Sequence, residues 1–365
     1  MKAKRAIMAG CAAAVALVAC TAVWAAQGAT DKGWRDVLDT PAAKSPYAAR
    51  ALLNGLASAG TRTVAVGQRG HIVYTDDAGK SWRQADVPVS SDLVAVHFPT
   101  GTTGWAVGHD GVVLRSTDAG LTWAVQLDGR RLGELMVGYY TREANASLAG
   151  DPKRAAALLD EAKRFEAQGA ENPLLDVWFR DASNGYVVGA FGLALRTSDG
   201  GAHWAPMLHA LDNPKGQHLY AVRGIGPDVY MAGEQGLLLK LEQSDERFRA
   251  LDIPYKGTLF GVAGNAQAVV AHGLRGTVLR STDGGRNWQQ IPTGLQVGLT
   301  ASTQDSDGRL VIVSQAGHVL ASRDGGASFT PVPLERAVPA AAVSAPSKGT
   351  LVIAGPRGAQ PLQLP

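Results

Sequence analysis

A short strand pattern ends near a glycine, and after two intervening residues a second glycine opens another strand. This device recurs along the chain at a nearly constant interval, and the interval limits the fold more than any other feature. The second glycines are Gly70, Gly111, Gly192, Gly236, Gly276, Gly317 and Gly358, spaced 41, 81, 44, 40, 41 and 41 residues apart. The 81 is one period plus an insertion of about one more. Units of this length, each holding several short strands, cannot bury a core alone and must stack on one another. Residues 93 to 127 show the pattern. Leu93–Phe98 reads as an apolar inner strand and Gly104–Gly108 as a second. His109-Asp110 is a tight turn closed by Gly111, and Val112–Arg115 is a third strand. The inner strand recurs at Leu52-Leu53, Asp176–Phe179, Leu219–Val222 and Leu259–Val262. Apolar runs without strict alternation indicate sheets packed on both faces. The expectation is all-β: a seven-bladed β-propeller with four-stranded antiparallel blades.

The turn from third to fourth strand follows Ser/Thr-x-Asp-x-Gly-x-x-Trp. It occurs at Thr75–Trp82, Ser116–Trp123, Thr197–Trp204 and Ser281–Trp288; Ser322–Phe329 substitutes Phe, and Leu241–Phe248 is degenerate. This is the Asp-box, or bacterial neuraminidase repeat. The carboxylate can accept bonds from turn amides, Gly supplies a positive φ, and the ring covers the hairpin. Asp77, Trp82, Asp118, Trp123, Asp199, Trp204, Asp283, Trp288 and Asp324 are therefore read as structural.

Outside the repeats, Lys2, Lys4 and Arg5 precede an apolar run from Ile7 to Val23, and Val23-Trp24-Ala25 ends it as a signal peptide would (1–25). Leu17-Val18-Ala19-Cys20 offers a competing lipobox, with Cys20 as the lipidated residue. Both cysteines fall here, so the remaining chain has no disulfide to form and no Cys nucleophile. The propeller is assigned to 31–365. Its last unit ends without a box, and residues 31–38, with Trp34, resemble Trp82–Val87. They are expected to supply the missing fourth strand and close the ring. Residues 130–173 carry no box. Asp151-Pro152 is a helix start, Ala155, Leu158, Leu159, Ala162 and Phe165 follow at helical spacing, and Gly169 is a stop; 132–146 forms a preceding helix. A helical hairpin between blades two and three is expected, on the ring face opposite the boxes.

Seven repeats, boxes with Gly-Gly or Ala-Gly centres, an export signal and a helical insert together resemble the photosystem II assembly/stability factor-like β-propellers, here as a non-photosynthetic bacterial member. The resemblance covers essentially the whole chain after the signal. It implies a non-catalytic assembly factor that binds membrane-protein subunits, and an association of bacterial look-alikes with RND-type exporters. It also implies an arginine patch. At one register of the third strand this chain carries Arg115, Arg196, Lys240 and Arg280 in blades two to five, with Tyr74 and Ala321 in blades one and six. These four form a candidate basic arc for an anionic partner. The alternative is that each supports a box turn or bridges to the next blade, with its stem packed between sheets. Arg69, Arg275 and Arg357, in the glycine turns, form a second candidate set.

Charge and chemistry narrow the function. The formal charge is +3, but without Lys2, Lys4 and Arg5 the 35 basic residues fall to 32, equal to the 32 acidic ones, so a global nucleic-acid field is not supported. The competing enzyme is a sialidase-like or other glycoside hydrolase, or a carbohydrate-binding propeller. A sialidase needs an arginine triad, a Tyr nucleophile with a Glu partner and an Asp acid, and Tyr220 and Tyr255 lie near inner strands without a recurring Glu. None of the eight His residues shows ligand spacing. The reading is an exported, periplasmic, monomeric scaffold for envelope membrane-protein complexes, with no catalytic residue, no cofactor and no metal expected.

Overall fold

The glycine turns set the architecture by close approach. In the computed structural model, which describes residues 35–143 and 150–364, Gly70 has φ 69°. A Cβ there would lie 2.2 Å from the carbonyl oxygen of Val89, in the link to the next blade. Gly276 meets Leu295 in the same way, at 2.1 Å. Only glycine lets the outgoing link lie directly on the turn.

Seven antiparallel sheets follow in chain order, each with its strands in sequential order. The innermost strands are Leu53–Ala59, Leu93–His97, Leu174–Phe179, Leu219–Ile225, Leu259–Asn265, Leu299–Gln304 and Ala342–Ser347. Second strands such as Gly104–Gly108 and Leu310–Ser314 are buried at every residue, as a strand covered on both faces must be. The chain is a seven-bladed β-propeller. Blades 1 to 6 have four strands and blade 7, among the described residues, has three.

The boxes work as hydrogen-bonded turns. Thr75, Ser116, Thr197, Ser281 and Ser322 each accept the amide of the glycine four residues on at 2.8–3.0 Å. The Asp carboxylate of each accepts the amide four residues on, as Asp77 does from Ser81 at 2.9 Å. The Trp82, Trp123 and Trp288 indoles donate to that same glycine's carbonyl. Trp204 breaks the rule, and its Nε1 is buried without a partner among the described residues.

The insertion is a helical hairpin of α1 (Gly129–Glu143) and α2 (Pro152–Gln168). Asp151 caps α2 by accepting the Arg154 amide at 3.0 Å, and Gly169 ends it at φ 63°. Helix α1 begins three residues before the expected position; residues 144–149 lie outside the described residues. The hairpin buries Leu132, Met136, Tyr140, Ala162 and Phe165 against Leu127, Leu174, Leu193 and Leu195. It is thus a packed part of blades 2 and 3, on the face that carries the interblade links (the link face).

The expected closing strand requires correction. Residues 1–34, with the expected signal peptide, Cys20 and Trp34, lie outside the described residues. Of the remainder, Val37–Asp39 form a 3-10 turn, not a strand. The Val37 carbonyl accepts the Ser90 amide at 2.8 Å, and Leu38 packs with Val87 and Val89 beside blade 1. The local likeness to Trp82–Val87 was real, but burial of Leu38 draws the segment to the start of the ring. Blade 7 ends on Gly358–Gln363, which contains Pro361, a residue suited to a sheet edge. The box turn of blade 1 packs on the face of this sheet, where a Cβ on Gly79 would lie 3.3 Å from the Val352 side chain and 3.5 Å from Pro361. Ala48, Leu53, Ala65 and Val73 pack on Ala342 and Ala354, so blade 1 closes directly on blade 7.

Between inner strands most seams carry a polar stitch. Asn54 donates to the Leu93 carbonyl at 2.9 Å, and His97 Nδ1 accepts the Phe179 amide at 3.1 Å. Asp176 accepts the Val222 amide at 2.8 Å. Thr300 donates to the Ala340 carbonyl at 2.7 Å, and the Ser58 and Ser344 hydroxyls meet at 3.1 Å. Blades 4 and 5 instead meet through Tyr220 and Phe260, edge to face at 5.5 Å. His272 joins blades 5 and 6. Its Nδ1 faces the Leu299 carbonyl and so carries the proton, and its Nε2 accepts from the Ser302 hydroxyl, both at 3.0 Å. Burial pushes its pKa down to about 4. The unfolded chain therefore takes up a proton below about pH 6.5 that the folded ring refuses until about pH 4. Stability should fall as pH drops across that window, by on the order of 1–3 kcal/mol from this residue. Urea titrations at pH 7 and pH 4.5 should show the loss, and His272→Gln should reduce the difference between them.

Candidate functional site

The four residues of the basic arc do share one register. Arg115, Arg196, Lys240 and Arg280 pair with Trp105, Tyr186, Tyr230 and Val270 on the second strands of blades 2 to 5. All four reach toward the box turn of the following blade. Lys240 donates to the Gly284 carbonyl at 3.0 Å while paired with Asp228 at 2.8 Å. Arg280 Nε donates to the Gly325 carbonyl at 2.8 Å. Arg115 lies 5.6 Å from the Trp105 ring, beside Gly200 of blade 3, with its Nε buried and, among the described residues, unpartnered. Arg196 pairs with Glu246 in the degenerate box of blade 4. Arg115, Lys240 and Arg280 are half-buried, whereas Arg196 is exposed.

Two outer staples had no signal at that register. Blade 1 has Tyr74 there and uses Arg62 from the adjacent strand, stacked 4.4 Å from the Tyr74 ring. Arg62 pairs with Asp76 at 2.7 Å and donates to the Ala119 carbonyl of blade 2 at 3.3 Å. Gln126 donates to the Gly200 carbonyl at 2.9 Å. The second candidate set is exposed on the link face. Arg69 and Arg275 sit at φ 55° and 56°, a position that Asp110, Phe191 and Gln235 share in their own turns. Arg69 and Arg357 belong to adjoining blades 1 and 7, while Arg275 stands apart on blade 5.

The concentration of free positive charge lies at the seam of blades 3 and 4, under the insertion. A pocket of about 750 Å³ there is lined by Arg154, Arg164, Lys215 and Arg247, with Glu161 and Asp212. Arg164 is paired with Glu161 and lies 5.5 Å from the ring of the exposed Phe191. Arg154 Nη2 donates to the His209 carbonyl, and among the described residues it has no carboxylate partner. The Arg247 guanidinium has no hydrogen bond or ion pair among the described residues. Burial and the nearby Arg154 push its pKa below the ordinary arginine value. Two half-buried guanidiniums facing one cavity attract an anion. Around the seam, Arg180 and Arg196 line a second pocket of about 500 Å³ with His203 and Glu246.

A sialidase arrangement is not assembled. The central channel has one arginine among its lining residues, Arg223. Burial and Glu234 raise the pKa of Tyr220, opposite to what a nucleophile needs, and the Tyr255 hydroxyl donates to the Leu274 carbonyl. Among the described residues no cluster of His, Asp or Glu is arranged to hold a metal, and no helix is long and apolar enough to cross a membrane. The staple geometry gives a stability prediction. Lys240→Met and Arg280→Met should each cost about 1–3 kcal/mol in urea unfolding, because a charged donor to a box carbonyl is lost. Arg196→Met should cost at most about 1 kcal/mol, as its pair is exposed.

Comparison with known proteins agrees with this architecture. The family described as Photosynthesis system II assembly factor YCF48 matches residues 57–169 and 163–329. The photosystem II assembly lipoprotein Ycf48 of Synechococcus sp. (strain CC9902) is 29% identical over 160 residues, 43% of this chain and 47% of that protein. Its counterpart in Trichormus variabilis (strain ATCC 29413 / PCC 7937) is 28% identical over 186 residues, 47% of this chain and 48% of that protein. The chain thus spans about half the length of the curated relatives it matches. Among solved structures, YCF48 bound to D1 peptide superposes with a TM-score of 0.62 at 15% identity, covering 87% of this chain and 94% of that one. The WD40 propeller domain of Doa1 reaches 0.60 at 7% identity, covering 88% and 94%. Those two likenesses show the fold, and the match to residues 57–169 and 163–329 shows the family: the chain belongs to the YCF48-type assembly-factor propellers.

Proposed function

We propose that this chain is a non-catalytic, exported propeller that holds a membrane-protein subunit during assembly of an envelope complex. The observation that carries the docking site is the pair Arg154 and Arg247, half-buried at one cavity with no carboxylate partner among the described residues. Charge held that way is available to an acidic segment of a partner and steers its approach. Phe191 and Leu158 in the same pocket give the segment an apolar contact. Of the basic arc, Arg196 is the member exposed enough to join this surface; Arg115, Lys240 and Arg280 contribute through blade geometry. Family membership supports an assembly role. The relatives' name, lipoprotein, supports export, with lipidation at Cys20 as the anchored form and cleavage after Ala25 as the soluble one. The finer reading of the partner is an RND-type exporter, with the protein acting as a periplasmic monomer.

Crosslinking and pull-down from native envelope membranes tests this reading. Arg247→Glu should lower capture of the partner at least fivefold with the urea midpoint near that of the parent, and adding Arg154→Glu should lower capture at least tenfold while costing only the stability of the Arg154 bond to the His209 carbonyl. Capture equal to the parent's would remove this surface from the account.

A further inference from the structure

At the centre of the ring a cavity of about 600 Å³ opens on the link face, within the size range of small-molecule sites. Its walls come from the first residues of the inner strands, and one ring of positions carries an anomaly. Paired with the last residue but one of each second strand stand Gly55, Ala95, Asp176, Ala221, Gly261, Ala301 and Ala342, all lining the cavity. Six are Gly or Ala, because the inner strands converge there: a Cβ on Gly55 would lie 3.0 Å from the Val94 carbonyl oxygen. The seventh is an aspartate whose side chain is 5% exposed.

Burying a carboxylate is costly, and a buried ion pair is often no more stable than apolar residues of the same volume. Most other inner seams are stitched by neutral groups, and the seam between blades 4 and 5 by two rings. The Asp176–Arg223 pair is therefore more than the fold needs. Its geometry has a directional consequence. Arg223 Nη1 is committed to Asp176 and to the Val222 carbonyl at 2.6 Å. Its Nε and Nη2 have no hydrogen bond among the described residues, and the side chain is 38% exposed and lines the cavity. Asp176 thus fixes one edge of the guanidinium and leaves the other, the edge that takes a carboxylate through two parallel bonds, directed to the cavity. Arg223 is the one Lys or Arg among the lining residues. The walls are mixed: Val94, Leu56 and Val262 give apolar contact, Asn54, Thr300 and Ser302 are neutral polar groups, and Asp92 is the other carboxylate among the lining residues. Tyr220 and Phe260 stand at the mouth, edge to face. Tyr220 and Arg223 are three residues apart on one strand, about 10 Å along it.

We propose that the channel is a binding site for a small monocarboxylic acid with an apolar, ring-bearing tail of about that length. Its carboxylate occupies the Nε–Nη2 edge of Arg223 and its ring lies against Tyr220 and Phe260. The site is separate from the docking surface on blades 3 and 4 and does not depend on it.

Calorimetric titration of the purified protein with 4-phenylbutyrate, 4-phenylbutyramide and 4-phenylbutylamine tests this, with thermal midpoints recorded alongside. The acid should bind saturably, and the amide and amine at least tenfold more weakly. Arg223→Lys keeps a charge opposite Asp176 but loses the two-bond edge, and should weaken the acid at least fivefold. Tyr220→Ala should weaken 4-phenylbutyrate but not butyrate. Should Arg223→Lys fail to fold, the acid-against-amide comparison in the parent and in Tyr220→Ala still decides. Absence of saturable binding in the low millimolar range, equal affinity for acid and amide, or parent-like affinity in both variants would overturn the proposal.

Discussion

Everything in this ring depends on how closely neighbouring blades can approach. A single four-stranded sheet of this kind has two apolar faces and cannot hide either one alone. The faces are hidden when the link leaving a blade lies on that blade's own glycine turn and so carries the chain closely to the next blade, as the Val89 carbonyl lies on Gly70. They are hidden again when inner strands meet through small residues. Once blades are this close, a single side chain can span the gap. One stitch near the axis and one staple near the rim then fix their mutual angle. The Lys240 and Arg280 bonds to box carbonyls one blade on do for the rim what Asn54 and Thr300 do for the axis.

This accounts for the double nature of the basic arc. A positive side chain at that third-strand register is well placed to satisfy the outward-facing carbonyl of the next box, and most of its stem is covered by the adjoining sheet. The same geometry makes it a poor partner for a second protein. Charge available to a partner accumulates where the repeat is broken. The hairpin α1–α2 brings Arg154 and Arg164 over the link of blades 3 and 4, where the degenerate box brings Arg247.

The sequence was informative wherever a signal is local. The glycine spacing gave seven blades, the box pattern gave the outer turns, and Asp151-Pro152 with Gly169 gave the limits of α2. Contacts between blades were less legible, because their partners lie about one period apart or more. Lys240 and Gly284 are 44 residues apart, and Ser58 and Ser344 are 286 apart. Arg62 and Gln126 act from strands that the register argument did not inspect. The buried Asp176 read as an ordinary strand residue until Arg223, on another blade, stood beside it. In its described part, residues 35–38, the expected closing strand does not form, for a related reason. The likeness of 31–38 to Trp82–Val87 is a likeness of local pattern, and pattern does not say which neighbour will bury Leu38.

The central claim is that direct packing of blade 1 on blade 7 closes the ring into one cooperative unit. Native-state hydrogen exchange tests it most directly. The amides of Val64–Val66 in blade 1 and Val352–Ala354 in blade 7 should exchange only through global unfolding, at the same free energy as Trp105–Val107 in blade 2. Exchange of blade 7 through a separate opening of lower free energy, with blade 2 still protected, would contradict the claim.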